Sequence, residues 1–587
     1  MDDARNKEGS ISSASLSDPK TGSREFENVI QYTGKGSTQK EASPYVSRTS
    51  SQQSAQSGQS SQSRQSRQSR RSSIIGTIKT INRVITGEED EKALHNYGDM
   101  ELPLMGNGLD YPPSPGEKKF YTVGFEGSGD PMHPWNWKSF KKVTNVMAAS
   151  FFSLTVSLGS AMFSQGTDVI VEKFHVGRTV ATLGVSFYVL GFASGPIVWA
   201  PLSEMYGRKA VFLPSCLGFV CFTFGVATGK DIQTIMLCRF FSGFFGASAL
   251  VLASSTIADV FSPSVRGKAM ASYSMAVFGG PMLGPIFGGF TVKSARFGWR
   301  WTSYWCGILG SIALILLTFV YQESYPPVVL KQKAKMLRNM TGNWAIVAPQ
   351  EEDQVTMKDI FVRSIGRPVY MLFTELILLL ISIYAAFIYG LLYMLLTAMP
   401  IIFGKNYGFI EGVAELPYLS MLIGSSLGCV MCILCDMKYR KMMLSHGRPI
   451  PEGRLLGMMV GSFFFAGGLF WLCWGGDFPD SVHWMVPTVG VLFVGFGLVS
   501  IFQSCINYLV DCYLKYAASA VAANSILRSI CGAVFPLFAY PMFMNLHVKW
   551  AGTLLGCIGV ILIPVPFVFF KYGHLIRKNS RFTSNDF

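Results

Sequence analysis

The sequence predicts an all-α membrane protein with about twelve spans in two six-helix halves, on three observations. Hydrophobic residues make up 49% of the 587 and charged residues only 15%, where soluble domains carry about 25% charged residues. Uncharged apolar runs recur along the chain, and a helix of about 20 such residues crosses a bilayer core. A polar stretch over about 322–369 separates six runs from six.

The expected organisation, in order, is a disordered cytoplasmic tail over 1–118, a first bundle over 119–321, a cytoplasmic loop over 322–369, a second bundle over 370–571 and a cytoplasmic tail over 572–587. No apolar leader follows Met1, so the first span is expected to insert as an internal signal-anchor. Ser50–Ser73 is nearly all Ser, Gln, Arg and Gly and cannot bury enough apolar surface to fold. It ends in Arg70-Arg71-Ser72-Ser73, a spacing that suits a basophilic kinase acting on Ser72 and Ser73. Ile74, Ile78, Ile81 and Ile85 fall on one helical stripe that would suit a membrane surface or a short fraying helix.

The spans read as roughly 143–165, 179–203, 209–228, 232–255, 268–292, 301–321, 370–394, 413–435, 455–475, 484–507, 517–541 and 549–570. With the N-terminus inside, the cytoplasmic segments hold most of the Lys and Arg, which places both termini in the cytoplasm. The formal net charge of +14 is therefore no sign of nucleic acid, since the bases sit in these loops and the tail.

The second and third spans are joined by A-P-L-S-E-M-Y-G-R-K, Ala200–Lys209, a tight turn at a membrane face. Gly207 permits the turn. Glu204 is placed to reach a helix N-terminus, where a carboxylate is stabilised. Arg208 can pair with such a carboxylate, and with Lys209 it marks the cytoplasmic side. The plain alternative is an ordinary charged hairpin.

Span four opens C-R-F-F-S-G-F-F-G-A. Arg239 is a candidate for proton coupling because an intramembrane Arg is costly; the alternative is an Arg that snorkels to the headgroups. Span five carries two prolines and five glycines in Gly279–Gly289. Gly280, Gly284 and Gly288 form a small-residue stripe for close packing, and Pro281 and Pro285 should bend the helix.

In the second half, Glu375 is read about a turn and a half into span seven, as a site for a proton or a cationic substrate. Tyr384, Phe387, Tyr389 and Tyr393 follow it. Gln503 and Asn507 share a face of span ten, as Asn524 and Arg528 share one of span eleven. Tyr384, Tyr389, Tyr393, Gln503, Asn507, Asn524 and Arg528 are candidates to bind a cationic or amphiphilic ligand, or else helix–helix glue.

Most of the 12 cysteines lie in apolar runs. Cys429, Cys432 and Cys435 are spaced three apart, but inside a span, so no metal is expected. No nucleotide-binding loop, zinc-hydrolase motif or nucleophile elbow is present. The chain is expected to be no enzyme and to hold no cofactor, with an ion gradient as the energy source for active transport.

These motifs together resemble the major facilitator superfamily, and the span-five motif resembles that of its antiporters. The closer resemblance is to the fungal twelve-spanner drug:proton antiporters and their yeast polyamine and multidrug exporters. It runs from about Phe125 to Lys578, with further matches at D-P-M-H-P-W-N-W (130–137), A-D-V-F-S-P-S-V-R-G-K-A (258–269), W-R-W-T (299–302), H-W-M-V-P-T-V-G (483–490) and S-A-V-A-A-N-S-I-L-R-S (519–529). Ala200 and Glu204 replace the superfamily's usual Gly and Asp, as is common in the fungal subgroup. The acids that bacterial relatives carry in span one have no mid-span counterpart here.

The resemblance implies two pseudo-symmetric six-helix bundles around a mid-membrane site, moving by rocking. It implies proton-coupled export of polyamines, drugs or organic acids, by a monomer in the plasma membrane or, alternatively, the vacuolar membrane. A proton-coupled nutrient importer and a non-transporting receptor or scaffold are the other readings.

Overall fold

The computed structural model describes residues 121–126, 129–294, 296–352, 357–446, 450–513, 516–578, 580 and 582. Ser72, Ser73 and the isoleucine stripe lie outside the described residues.

The first half folds into α1 (Ser139–Met162), the short α2 (Thr167–Phe174), α3 (Arg178–Tyr206), α4 (Arg208–Thr228), α5 (Ile232–Val260), α6 (Pro263–Lys293) and α7 (Arg300–Phe319). The connecting segment forms α8 (Pro326–Thr341) and α9 (Met357–Thr374). The second half holds α10 (Leu376–Met399), α11 (Tyr418–His446), α12 (Leu456–Gly475), α13 (Met485–Cys512), α14 (Ala517–Leu562) and α15 (Pro564–Lys578).

Among the described residues, eleven helical stretches are long and apolar enough to cross a membrane. The last, Ala517–Lys578, has 62 residues, about twice what one crossing needs. It breaks at His547, where φ is 60° and ψ 160°, so it supplies two crossings and the total agrees with the expected twelve.

Where the helices end follows from local chemistry. Gly207 has φ +97°, a region that glycine enters without steric cost, so α3 and α4 meet with one residue between them. Gly342 closes α8 in a left-handed conformation, its N–H bonding the Arg338 carbonyl at 2.9 Å. Pro281 and Pro285 sit inside α6, which runs from Pro263 to Lys293.

One apolar cluster fills the first bundle around Phe152, Phe212, Phe219 and Tyr321. A larger one fills the second bundle and continues across the seam between the two. That seam is formed chiefly by α3 against α14 and α6 against α11. The outward faces carry exposed apolar side chains such as Leu237, Phe319 and Ile561, the surface a bilayer accepts and water does not.

One expectation about the middle of the chain needs correction, the place of Glu375. The segment 322–369 is largely helical. Span seven begins at Leu376, so Glu375 is the residue before α10 and lies at the break between α9 and α10, not inside a span. The length of the polar stretch hid the amphipathic α9, which runs straight into the apolar run.

The segment ahead of α1 is tied to α8. Val123 N–H bonds the Val347 carbonyl at 2.9 Å, and Tyr121, Val123, Ala334, Leu337, Ile346 and Ala348 bury one another. Beneath them the Lys333 ammonium, 1% exposed, donates to Asp130 Oδ2 at 3.0 Å and to the Gly124 carbonyl at 3.1 Å.

Candidate transport path and gating contacts

At one end of the first bundle, the α3–α4 turn is held by residues from three other places in the chain. Arg208 is 6% exposed. Its Nε donates to Asp259 Oδ2, at the end of α5, at 3.0 Å, and its Nη1 donates to Ser203 Oγ at 2.6 Å. The guanidinium also lies over the Tyr325 ring.

The carboxylate that caps α4 belongs to Glu323, not Glu204. Glu323 Oε1 and Oε2 accept from the Arg208 and Lys209 backbone N–H groups, each at 2.9 Å, and Oε1 also accepts from Ser324 and Tyr325 N–H. This meets the positive end of a helix with a negative charge. A Cβ at Gly207 would lie 2.9 Å from Glu323 Cδ, so glycine is required there twice over. Glu204 is exposed, and its carbonyl accepts from Gln350 Nε2.

The second bundle repeats the arrangement. Arg454 at the start of α12 pairs with Asp511 at the end of α13 through Nε at 2.7 Å, and with Asp436 of α11, while stacking on Tyr439. Glu452, two residues earlier, takes Arg577 of α15 at 2.7 Å. Sequence reasoning missed this set, as it missed Asp259 and Glu323, because the partners lie far apart in the chain. The preceding Gly453, placed like Gly207, was the available signal.

The glycine stripe of α6 packs on α1 inside the first bundle. A Cβ at Gly280 would stand 2.7 Å from Leu158 N, one at Gly284 3.0 Å from Leu158 O, and one at Gly288 2.8 Å from Met162 O. The stripe is thus a backbone-to-backbone contact. The seam is met by the other face of α6: Phe278 stacks edge-on with Phe502, and Ser425 Oγ lies 3.6 Å from Met282 Sδ.

Arg239 is 4% exposed, deep inside the first bundle. Its guanidinium donates to three main-chain carbonyls, those of Gly184 and Gly159 at 2.9 Å each and of Ser160 at 3.5 Å. It also lies over Phe163 and Tyr188. Among the described residues no acid pairs with it. A cavity of about 10 Å³ adjoins it, lined in part by Thr223, Ser242 and Ser303, close to the volume that one water needs.

The polar candidates of the second half divide between the seam and the bundle interior. Tyr393 Oη donates across the seam to Ser160 Oγ at 2.9 Å, and Tyr389 is 3.4 Å from Tyr393. Arg528 lies between the Tyr389 and Phe502 rings. Ser274 of α6 donates to Gln503 Oε1 at 3.0 Å, and Asn507 stands half-buried one turn beyond. Tyr384 and Asn524 are not at this seam contact. Asn524 donates to Ser382 at 3.3 Å, joining α14 to α10, and Tyr384 packs within the second bundle beside Ser462 and Cys505.

Glu375 sits at the end of the molecule that carries Arg454. It is 4% exposed and accepts from Tyr513 Oη at 3.3 Å and from Ser580 Oγ. A cavity of about 660 Å³ opens beside it, between the α9–α10 junction and α15. Cys429 and Cys432 point to the carbonyls of Ala271 and Ser500, and no cluster suited to a metal occurs among the described residues.

A model of the Major Facilitator Superfamily matches residues 147–536. The multidrug transporter FLU1 of Candida albicans is 55% identical over 82% of this chain and 79% of its own length. The multidrug transporter TPO1_2 of Candida glabrata is 43% identical over 86% and 87%. Among solved structures, the Escherichia coli xylose transporter XylE in a partially occluded inward-open conformation matches with a TM-score of 0.52 at 18% identity, covering 73% of this chain and 99% of that one, a likeness of fold alone.

Proposed function

Because the chain belongs to the major facilitator superfamily and is a membrane transporter, not an enzyme, we propose that it is a proton-coupled exporter of cationic or amphiphilic small molecules. Drugs, polyamines and organic acids are the substrate classes. The observation that carries this reading is the aromatic and cationic group at the seam, where Arg528 lies between Tyr389 and Phe502 while Tyr393 reaches Ser160 of the other bundle. Aromatic faces hold amphiphiles of many shapes. Gln503 and Asn507 add hydrogen-bonding capacity for polar substituents.

The base-rich end, with the Arg208 and Arg454 clusters, faces the cytoplasm on this reading, with both termini inside a cell's plasma membrane. Glu375 stands at that end, beside a cavity open to it, and is the acid through which a proton or a substrate ammonium exchanges with the cytoplasm. Arg239 couples to the cycle by holding α1, α3 and α5 together. A basophilic kinase acts on Ser72 and Ser73, supported by the Arg-Arg-x-Ser spacing. One chain suffices, because both bundles of the seam lie within it.

The test is accumulation of labelled spermidine and of a rhodamine-type dye in fungal cells lacking or overproducing the chain. Lower accumulation on overproduction, abolished when the proton gradient is collapsed, is expected. Higher accumulation would indicate an importer, and no change for either probe or for a wider drug panel would remove the export reading.

A further inference from the structure

At the end opposite Arg208, the seam is closed by the segment between α10 and α11. A Cβ at Gly289 of α6 would lie 2.9 Å from Gly412 Cα and 3.2 Å from Glu415 Cγ. Glycine at 289 therefore lets a loop of the second bundle reach the helix backbone of the first. The next glycine, Gly288, plays the same part for Gln165, whose Cγ would be 2.9 Å from a Cβ there. The Gln165 amide in turn faces the Glu415 carboxyl.

Glu415 is 2% exposed, and its Oε2 has no hydrogen-bond partner; the hydroxyl of the neighbouring Tyr418, wholly buried, has none either. Among the described residues no ion pair includes Glu415. The charged groups on the surrounding elements are Lys405 after α10, Glu411 in the same loop and Lys293 at the end of α6. All three are exposed, and Lys405 lies 3.5 Å from Met544 Sδ. Asp168, in the first turn of α2, is paired with Arg178. A carboxylate buried without a cation is strongly disfavoured, whereas the neutral acid carries no such penalty.

We propose that Glu415 is a proton-binding site that closes this end of the transporter. Protonated, it is held under the Gly289–Gly412 contact. Ionised, it is stable only in water, and the seam parts to hydrate it. The ligand is a proton taken from the compartment on that side, so acidity there favours closure and alkalinity favours opening. This rests on the transporter reading above and adds to it a residue that sequence reasoning did not select.

The test uses the full chain in intact cells. A cysteine replaces Ala414, 4% exposed and small, as a reporter of opening, and another replaces Ile410, 61% exposed, as a control. Labelling by a membrane-impermeant maleimide is compared between about pH 8 and pH 5, with the native cysteines' background subtracted. The ratio of reporter to control should fall with acidity, by at most about tenfold per pH unit for one linked proton. With Glu415→Gln, the neutral isostere, the ratio should be low and independent of pH. The nearby carboxylate would itself slow thiol labelling at high pH, the opposite of the expected change.

Wild-type pH dependence in Glu415→Gln overturns the proposal. Should that variant fail to reach the membrane, Glu415→Asp, still titratable, must keep a pH-dependent ratio, and a flat ratio in it also overturns the proposal. Dye efflux measured in the same cells separates the two readings. Labelling that depends on Glu415 in a chain that exports none of the probes would remove the export reading and leave this one standing. Normal efflux with labelling indifferent to Glu415 would do the reverse.

Discussion

Arg208 and Asp259 form an ion pair of 3.0 Å with side chains only 7% and 13% exposed, tying the start of α4 to the end of α5. Removing one partner of such a pair leaves a charge stranded, at a cost of about 3–5 kcal/mol when burial is complete. Asp259→Asn and Arg208→Ala should therefore lower dye efflux while the protein still reaches the membrane. Arg208→Lys should fail too, because a lysine cannot bond Asp259 and Ser203 together as the guanidinium does. Efflux normalised to surface abundance is the measurement, and full activity in Arg208→Lys would reduce the pair to simple charge.

Glu323 should matter more than Glu204. Its carboxylate accepts from four main-chain N–H groups, two of them at the α4 N-terminus, and a helix cap is worth about 0.5–2 kcal/mol. Glu323→Gln should lower the thermal unfolding midpoint of the purified protein, whereas Glu204→Ala, at an exposed position, should leave it nearly unchanged. Equal shifts for the two would contradict the capping geometry.

The α6 stripe gives a matched pair of substitutions. A Cβ at Gly280 would press on Leu158 N at 2.7 Å, but one at Gly279 meets only Leu422 Cδ1 at 3.7 Å. Gly280→Ala should thus impair export or abundance while Gly279→Ala is tolerated, although the two residues are adjacent. Gly284→Val, with its added bulk against Leu158 and Met162, should be worse than Gly280→Ala.

Asp130 supplies a pH prediction outside the membrane. Burial pushes its carboxyl up, but the Met132 N–H, the Lys333 ammonium and the Glu126 N–H outweigh that and hold it below the ordinary carboxylate value. A folded value below the unfolded one stabilises the docked segment at every pH above the unfolded value, about 3.9. That stability is lost as pH falls through the folded value. The contribution of Asp130 to docking on α8 should then be constant between about pH 5 and 8. Asp130→Asn should free the segment across that whole range, read as faster proteolytic cleavage ahead of α1. Unchanged cleavage in the variant would show that the apolar contacts of Tyr121 and Val123 suffice alone.

How much of this was legible in the sequence depended on distance along the chain. The helices, the turn at Gly207 and the packing stripe of α6 are written in runs and spacings of fewer than 30 residues, and composition alone demands the membrane. Asp259 and Glu323 reach Arg208 from 51 and 115 residues away, and no periodicity encodes that. Tyr384 and Tyr393 looked equivalent in one apolar run. Nine residues apart on α10, they face different neighbours, and only packing reveals which meets the seam. Glu375 was misplaced because α9 is amphipathic enough to merge with the span that follows. Glu415 drew no notice because an acid near a span end is ordinary until its burial is seen.

Arg239 separates charge from geometry. If its role were only a positive charge within the bundle, Arg239→Lys would preserve it. In the structure the guanidinium instead spans carbonyls on two helices, Gly159 and Ser160 of α1 and Gly184 of α3, from its own place on α5. A lysine ammonium has no planar fork and stacks poorly on Phe163 and Tyr188, so it cannot satisfy the same set. Each bond from a charged donor is worth about 1.5–3 kcal/mol, and a buried carbonyl left bare costs about 1–3. Arg239→Lys should therefore resemble Arg239→Met, with efflux reduced by about tenfold or more, the effect of losing roughly 1.4 kcal/mol. The helices α1, α3 and α5 should loosen in both variants, seen as faster amide exchange around Gly159 and Gly184. Export close to wild type in Arg239→Lys but absent in Arg239→Met would return the role to charge.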